Sequence, residues 1–329
     1  QTCALPISSC YMQLGKIKEA QAISPDYYMV PPIDRRLTVE SDRFSELSNM
    51  FAQAGNLERA LEYALRCADI EKQVAGKEHI WYGNSTIIIG NLYYALGDSI
   101  NAEENYLINK NICKHTYGEY SERYVDALLS LASVNTDFSM KDGLDKATRY
   151  LDEAYSIAHK RYPLLEAQIV NQQSVIAFRN KNYEQAKTLM MQALSLCELA
   201  EGKTSNNYEI LLSNTIDLYQ MFGQYDEAIT LGQDFLEACN QANRSDSIPA
   251  FIMVKISQAN IAKGDINNAL IQIEKAENIM RQYGTAKVDY INILGIMSTI
   301  YSNAGNKQKA ISLNSKVLEF YEKKGWLQE

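Results

Sequence analysis

GKEHIWYGNSTIIIGNLYYALGDSINAEENYLI, running from Gly76 to Ile108, holds the pattern on which the fold turns. Within it Ala102 follows Gly97 by five residues, Tyr93 by nine, Gly90 by twelve and Ile89 by thirteen. The same offsets recur along the chain, and repeats of this length must be sought before any domain count is attempted. Alanines stand at positions 20, 60, 102, 147, 186, 228, 269 and 310, spaced 40, 42, 45, 39, 42, 41 and 41 residues apart, about 41 on average.

Five residues before six of these alanines stands a glycine, at positions 15, 55, 97, 223, 264 and 305, although glycine fills only 16 of 329 positions. Glycine enters the left-handed backbone region without steric penalty, so each one marks the end of a first helix and the turn into a second. The alanine then lies one turn into that second helix. Nine residues before it an aromatic recurs (Tyr11, Phe51, Tyr93, Tyr219, Tyr301), and thirteen before it an apolar residue (Leu47, Ile89, Met297). Both offsets fall on one helical face. Twelve before it the residue is small (Ser8, Ser48, Gly90, Ser174, Ser257, Ser298), which lets two helices approach closely beside the alanine; Ile216 is the exception. The third unit carries about three extra residues near Asp137 to Gly143, where an inter-helix loop tolerates insertion. In the fourth, Lys181 stands for the glycine between Asn180 and Asn182, and asparagine is the next residue of choice for a left-handed turn.

Composition agrees with an all-α chain. Six prolines against an abundance of Ala, Leu, Ile, Glu and Lys leave little room for strands. No window approaches the roughly 18 uninterrupted apolar residues of a membrane span. The formal charge of −8, from 32 basic and 40 acidic residues, disfavours nucleic acid, whose phosphates demand clustered cations. The one basic pair, Arg35-Arg36, reads as a solvated surface feature. No basic-then-apolar leader follows Gln1, so a signal peptide is either absent or already missing from a sequence that starts without its native N-terminus, and a cytoplasmic location is expected.

The stretch from Gly76 to Ile108, together with NMFAQAGNLERALEYA (Asn49 to Ala64) and DLYQMFGQYDEAITLG (Asp217 to Gly232), resembles the tetratricopeptide repeat of the long, kinesin-light-chain-like variety. The resemblance runs from about Arg35 to Lys324. It implies an all-α α-solenoid of stacked antiparallel helix pairs, a superhelix of seven to eight repeats. The array is expected over 35–329, behind a degenerate N-terminal repeat and Pro-containing linker over 1–34. Pro25 falls where the second helix of that first unit should continue. Ala4-Leu5-Pro6-Ile7 is what the adapter string GCTCTTCCGATC encodes, so the first residues are expected to be foreign to the native locus.

Stacked helix pairs present an extended inner surface, and in this family the first helix of each pair lines it. Positions fifteen, eleven and eight before each alanine share that face. They give Asn49, Asn91, Tyr94, Asn171, Phe178, Asp217, Gln220, Gln258, Thr299 and Ser302 as candidate groove residues. Amide side chains donate to and accept from an extended peptide, and Tyr94 and Phe178 offer apolar anchors. The expected function is a protein-interaction scaffold taking a protein or peptide partner in that groove. In bacteria such arrays often precede a caspase-like CHAT protease domain or a signalling output domain, so the chain is expected to be the recognition or regulatory region of a larger bacterial protein. A stand-alone adaptor and a peptide-sensing receptor region are the alternatives.

No enzyme, cofactor, metal site or catalytic residue is expected. The cysteines at 3, 10, 67, 113, 197 and 239 lack paired spacing. Cys113, Cys197 and Cys239 each lie eleven residues after an anchor alanine, a repeated position that means packing and not reactivity. His79, His115 and His159 fall at unit junctions or helix ends, without a nucleophile beside them. Acidic pairs such as Glu103-Glu104 are expected to face solvent.

Overall fold

The computed structural model describes residues 35–138, 142–244, 246–285 and 288–323. The degenerate N-terminal repeat, with its Pro-containing linker and the Ala4 to Ile7 run, lies outside the described residues. Every described element is a helix, and the chain divides into two compact units, residues 1–182 and 183–329.

The first unit holds α1 (Arg35–Gln53), α2 (Leu57–Val74), α3 (Ile80–Ala95), α4 (Ser99–Tyr117), α5 (Glu122–Asp137), α6 (Gly143–Ala158) and α7 (Pro163–Arg179). Helices α1/α2, α3/α4 and α5/α6 form antiparallel pairs, and each second helix packs on the next first helix. The second unit holds α8 (Tyr183–Glu201), α9 (Asn206–Met221), α10 (Tyr225–Gln241), α11 (Ile248–Lys263), α12 (Ile266–Tyr283), α13 (Val288–Asn303) and α14 (Lys307–Lys323). There α9/α10, α11/α12 and α13/α14 pair in the same way. Each unit is thus a stack of antiparallel helix pairs, the all-α class expected from the sequence.

The joint between paired helices is built from one recurring backbone turn. Five residues before each described anchor alanine φ is positive: Gly55 (80°), Gly97 (82°), Asp142 (59°), Lys181 (64°), Gly223 (71°), Gly264 (89°) and Gly305 (78°). In the fourth repeat it is Lys181 itself, and neither neighbouring asparagine, that turns left-handed. In six of these joints the next residue sends its N–H back five positions into the first helix. Asn56 reaches Phe51, Asp98 reaches Tyr93, Asn182 reaches Ala177, Gln224 reaches Tyr219, Asp265 reaches Asn260 and Asn306 reaches Tyr301, all at 2.8–2.9 Å. Together with the shorter bond from the left-handed residue itself, this is a Schellman closure, which satisfies the carbonyls a helix end leaves open. The same residue then opens the second helix. The side chains of Asn56, Asp98, Asp265 and Asn306 accept from backbone N–H groups three positions on, at 3.1–3.2 Å.

The described anchor alanines are closed to solvent, and Ala60, Ala102, Ala147, Ala228, Ala269 and Ala310 stand on second helices that pack on their own first helices. Ala60, Ala102, Ala147, Ala186, Ala228 and Ala269 are 0 % exposed and Ala310 6 %. The small residue twelve positions earlier does more than make room: Ser48, Ser257 and Ser298 each donate a hydroxyl to the carbonyl of their alanine at 2.9 Å. Where that residue is Gly90, a Cβ would stand 2.6 Å from the Tyr106 ring, so the glycine is required by the ring packed over it. Aromatics nine positions before the alanine also take a cation from the second helix, with Arg59 5.4 Å from the Phe51 ring centre and Lys309 4.0 Å from that of Tyr301.

Core clusters follow these seams. In the first unit Tyr124, Leu128, Leu151, Ile169 and Ile176 pack together, and in the second Ile273, Met280, Met297, Ile300 and Tyr301. The four described cysteines, Cys67, Cys113, Cys197 and Cys239, are buried free thiols, and burial pushes the Cys113 thiol up to about 11. One expectation is corrected. Glu103 does not face solvent; its carboxylate takes hydrogen bonds from Asn135 (3.0 Å) and Lys146 (3.1 Å) and joins α4 to α5 and α6.

Three outcomes follow from this packing. Ala228→Leu forces extra methylenes into a closed crossing and should cost about 1–3 kcal/mol, read as a lower melting temperature; an unchanged melt would contradict the register. Lys181→Gly relieves a left-handed side-chain-bearing residue and should raise stability by about 1 kcal/mol, measured as a higher urea midpoint at constant slope. With its pKa raised, Cys113 carries less thiolate than an unfolded thiol at any pH below that value. Peptide mapping after iodoacetamide at pH 8 should show it unlabelled in native protein and labelled in urea.

Candidate functional site

Two first helices, α5 and α7, meet along the face from which the groove is read. Helix α5 starts at Ser121, whose Oγ accepts from Tyr124 N at 3.3 Å. Helix α7 starts with Pro163 at its first turn, where the missing N–H costs nothing. The turn before it is held by Glu166, a buried carboxylate accepting from Lys160 N (3.0 Å) and bonded to His159 Nδ1 (2.8 Å). His159 is thus a turn-holder. His79 has a comparable task, capping α3 by accepting from Trp81 N at 3.2 Å.

With Leu128 and Ile169 turned into the core, the opposite faces of α5 and α7 frame a cleft of about 320 Å³ lined by Asp126, Leu129, Ser130, Ser133, Gln168, Asn171 and Gln172. Gln172 Nε2 donates to Ser133 Oγ at 2.9 Å and lies 3.4 Å from Leu129 O. Ser130 Oγ donates to Asp126 O at 3.1 Å. Two amide oxygens, Asn171 Oδ1 and Gln172 Oε1, are buried without a hydrogen-bond partner among the described residues. Buried polar atoms are nearly always partnered, so two acceptors in one cleft mark a place where donors are wanted. The Asp126 carboxyl reaches solvent, yet desolvation by the surrounding helices raises its pKa; Arg123 opposes that shift and Glu122 adds to it.

At one end the wall is tied across three successive first helices. Tyr94 on α3 donates its hydroxyl to Asp137 at the end of α5, and Arg179 on α7 binds the other carboxylate oxygen at 3.2 Å. Tyr94 also meets Phe138 edge-on at 5.3 Å. Burial first, and then the Asp137 carboxylate, raise the Tyr94 pKa.

Of the sequence-derived candidates in the first unit, Asn171 lines the cleft, Tyr94 is committed to its tie, and Phe178 is half-buried. Asn91 accepts from the Tyr106 hydroxyl at 2.8 Å, and Asn49 is exposed. In the second unit Asp217 pairs with Lys255 (2.6 Å) and Gln220 lies 3.4 Å from Lys255 O, joining α9 to α11. Gln258 is half-buried there, and Thr299 and Ser302 are exposed.

The offsets missed most of the cleft. Once the three inserted residues of the third repeat are removed, Asp126 and Gln168 both stand eighteen before their alanines, Leu129 and Asn171 fifteen, Ser130 and Gln172 fourteen, and Ser133 eleven. Aligning the third repeat across its insertion is the signal that finds them.

A second hollow, about 240 Å³, lies among α1, α2 and α3, lined by Ser41, Asp42, Ile70, Glu71, Val74 and Trp81. Its inner acid, Glu71, already takes the Ser85 hydroxyl at 2.6 Å, and burial raises its pKa. Among the described residues no three His, Cys, Asp or Glu side chains come together as a metal site, and no helix is long and apolar enough to cross a membrane.

Residues 42–80 and 165–241 match family models described as tetratricopeptide repeat. A search of curated protein sequences finds no match. Among solved structures, the apo form of the quorum sensor NprR from B. thuringiensis is 14% identical, with 96% of this chain and 86% of that chain covered and a TM-score of 0.60. A Rap protein complexed with Competence and Sporulation Factor is 13% identical, with 98% of both chains covered and a TM-score of 0.54. A tetratricopeptide repeat protein from Parabacteroides merdae is 15% identical over 89% of this chain and 96% of its own, with a TM-score of 0.50. At such identities the likeness is one of fold. The two sequence matches are independent of it, and show tetratricopeptide repeats over residues 42–80 and 165–241, within a chain whose own repeat period is about 41 residues.

Proposed function

We propose that this protein binds an extended segment of another polypeptide along the first-helix face of its repeats, with the α5–α7 cleft as the centre of recognition. The observation that carries the reading is the pair of buried, unpartnered amide oxygens, Asn171 Oδ1 and Gln172 Oε1, in an otherwise polar cleft. A peptide backbone or side chain supplies N–H donors at such a place, and amides leave the register of the guest free to slide until its side chains fit. The role is one of binding and not of catalysis. The cleft holds a single carboxyl and no histidine or cysteine, so it offers no nucleophile with an adjacent base. Two fold neighbours, a quorum sensor and a Rap protein solved with Competence and Sporulation Factor, are consistent with a recognition region in a bacterial signalling protein.

A random dodecapeptide display selection against the purified chain should enrich binders. Their affinity should fall at least tenfold in Ser130→Trp, which fills the cleft, and stay unchanged in Ile311→Trp, a substitution at an exposed site on α14. A selection that enriches nothing, or binders indifferent to Ser130→Trp, would overturn the reading.

A further inference from the structure

The repeat offers the same junction twice, filled in two different ways. In the second unit, the junction of α9 and α11 is closed from within: Lys255, fourteen residues before its alanine, places Nζ 2.7 and 2.6 Å from the two carboxylate oxygens of Asp217, eleven before its own. In the first unit, the equivalent positions at the junction of α5 and α7 are Gln172 and Ser133, joined by a neutral hydrogen bond of 2.9 Å. The acceptors have not gone with the charge. Asn171 Oδ1 and Gln172 Oε1 remain buried and unpartnered, and the Asp126 carboxylate stands at the position that is Ile210 on α9. No lysine or arginine lines the cleft. One junction of this fold therefore carries its own ion pair, while its counterpart carries unpartnered acceptors and a carboxylate that feels Arg123 on its own helix but forms no ion pair among the described residues.

We infer that the α5–α7 cleft selects a polypeptide with a lysine or arginine side chain, whose cationic head enters among the Asp126 carboxylate and the Asn171 and Gln172 amides that line it. An ammonium has three donors and a guanidinium five, which matches two amide oxygens and one carboxylate better than a backbone N–H, which brings one. A volume of about 320 Å³ admits either head with part of its aliphatic stem, and the formal charge of −8 favours approach of a basic segment. This specificity rests on the peptide-binding reading proposed above.

The test uses the random dodecapeptide selection on the native chain. Its enriched pool should share one position held by lysine or arginine, and which of the two predominates identifies the head group. A synthetic peptide of the enriched sequence should lose at least tenfold in affinity when that residue is replaced by norleucine, and similarly against Asp126→Asn. Against Ser130→Lys, which brings the chain's own ammonium to the cleft, it should also lose affinity. The norleucine peptide should be indifferent to Asp126→Asn, because the two losses share one contact. Should Asp126→Asn melt early, the norleucine comparison on the native protein decides alone. Binders without a shared basic position, or a norleucine peptide that binds as well, overturn the cleft's specificity and leave peptide binding standing. No binders at all overturn both.

Discussion

At four of the described joints one residue belongs to two helices, and the crossing of the pair depends on it. The asparagine or aspartate after the left-handed turn gives its N–H to the end of the first helix and, at Asn56, Asp98, Asp265 and Asn306, its side-chain oxygen to the start of the second. Two helix ends that would otherwise leave several backbone groups unsatisfied are closed by three consecutive residues. The crossing is then fixed before any side chain packs. Four residues later the alanine arrives at the contact, and a serine hydroxyl from the first helix locks on to its carbonyl.

Much of this was legible because its causes are local. A glycine five residues before an alanine states both the turn and the contact, and the described anchor alanines are closed to solvent. At Asp142 and Lys181 the geometry persists without glycine, since the surrounding joints determine the backbone and the residue accepts the strain. What the offsets missed is long-range or displaced. The bond from Tyr94 to Asp137 spans 43 residues, and no local pattern announces it. Glu103 looks like half of a solvated acidic pair until Asn135 and Lys146 are brought to it by the next pair of helices. Asp126, Ser130 and Ser133 were hidden because three inserted residues shift their repeat relative to its own alanine.

The two first-helix junctions show how a uniform scaffold acquires differences. Identical backbone register places position fourteen of one repeat against position eleven of the one before. In one junction those places hold an ion pair, in the other an amide and a hydroxyl. An ion pair between the chain's own residues spans one junction, whereas a neutral bond beside unpartnered acceptors leaves interaction energy available to a guest. Recognition on such a scaffold is decided by which seams the chain closes with its own side chains.

The shared residue at each joint also governs how such a protein can change length. Cutting the chain at one joint and rejoining it at the equivalent place in another removes or adds a whole repeat, yet recreates the same turn, cap and crossing. A gain or loss of one residue inside a helix is of another kind: it swings everything beyond it by about 100° about the axis, carrying the alanine off its contact. The third repeat has its extra residues between the end of α5 at Asp137 and the start of α6 at Gly143, where added residues leave both helices in phase. Genes for arrays of this kind can therefore drift by whole repeats or by loop residues, while helix interiors hold their length.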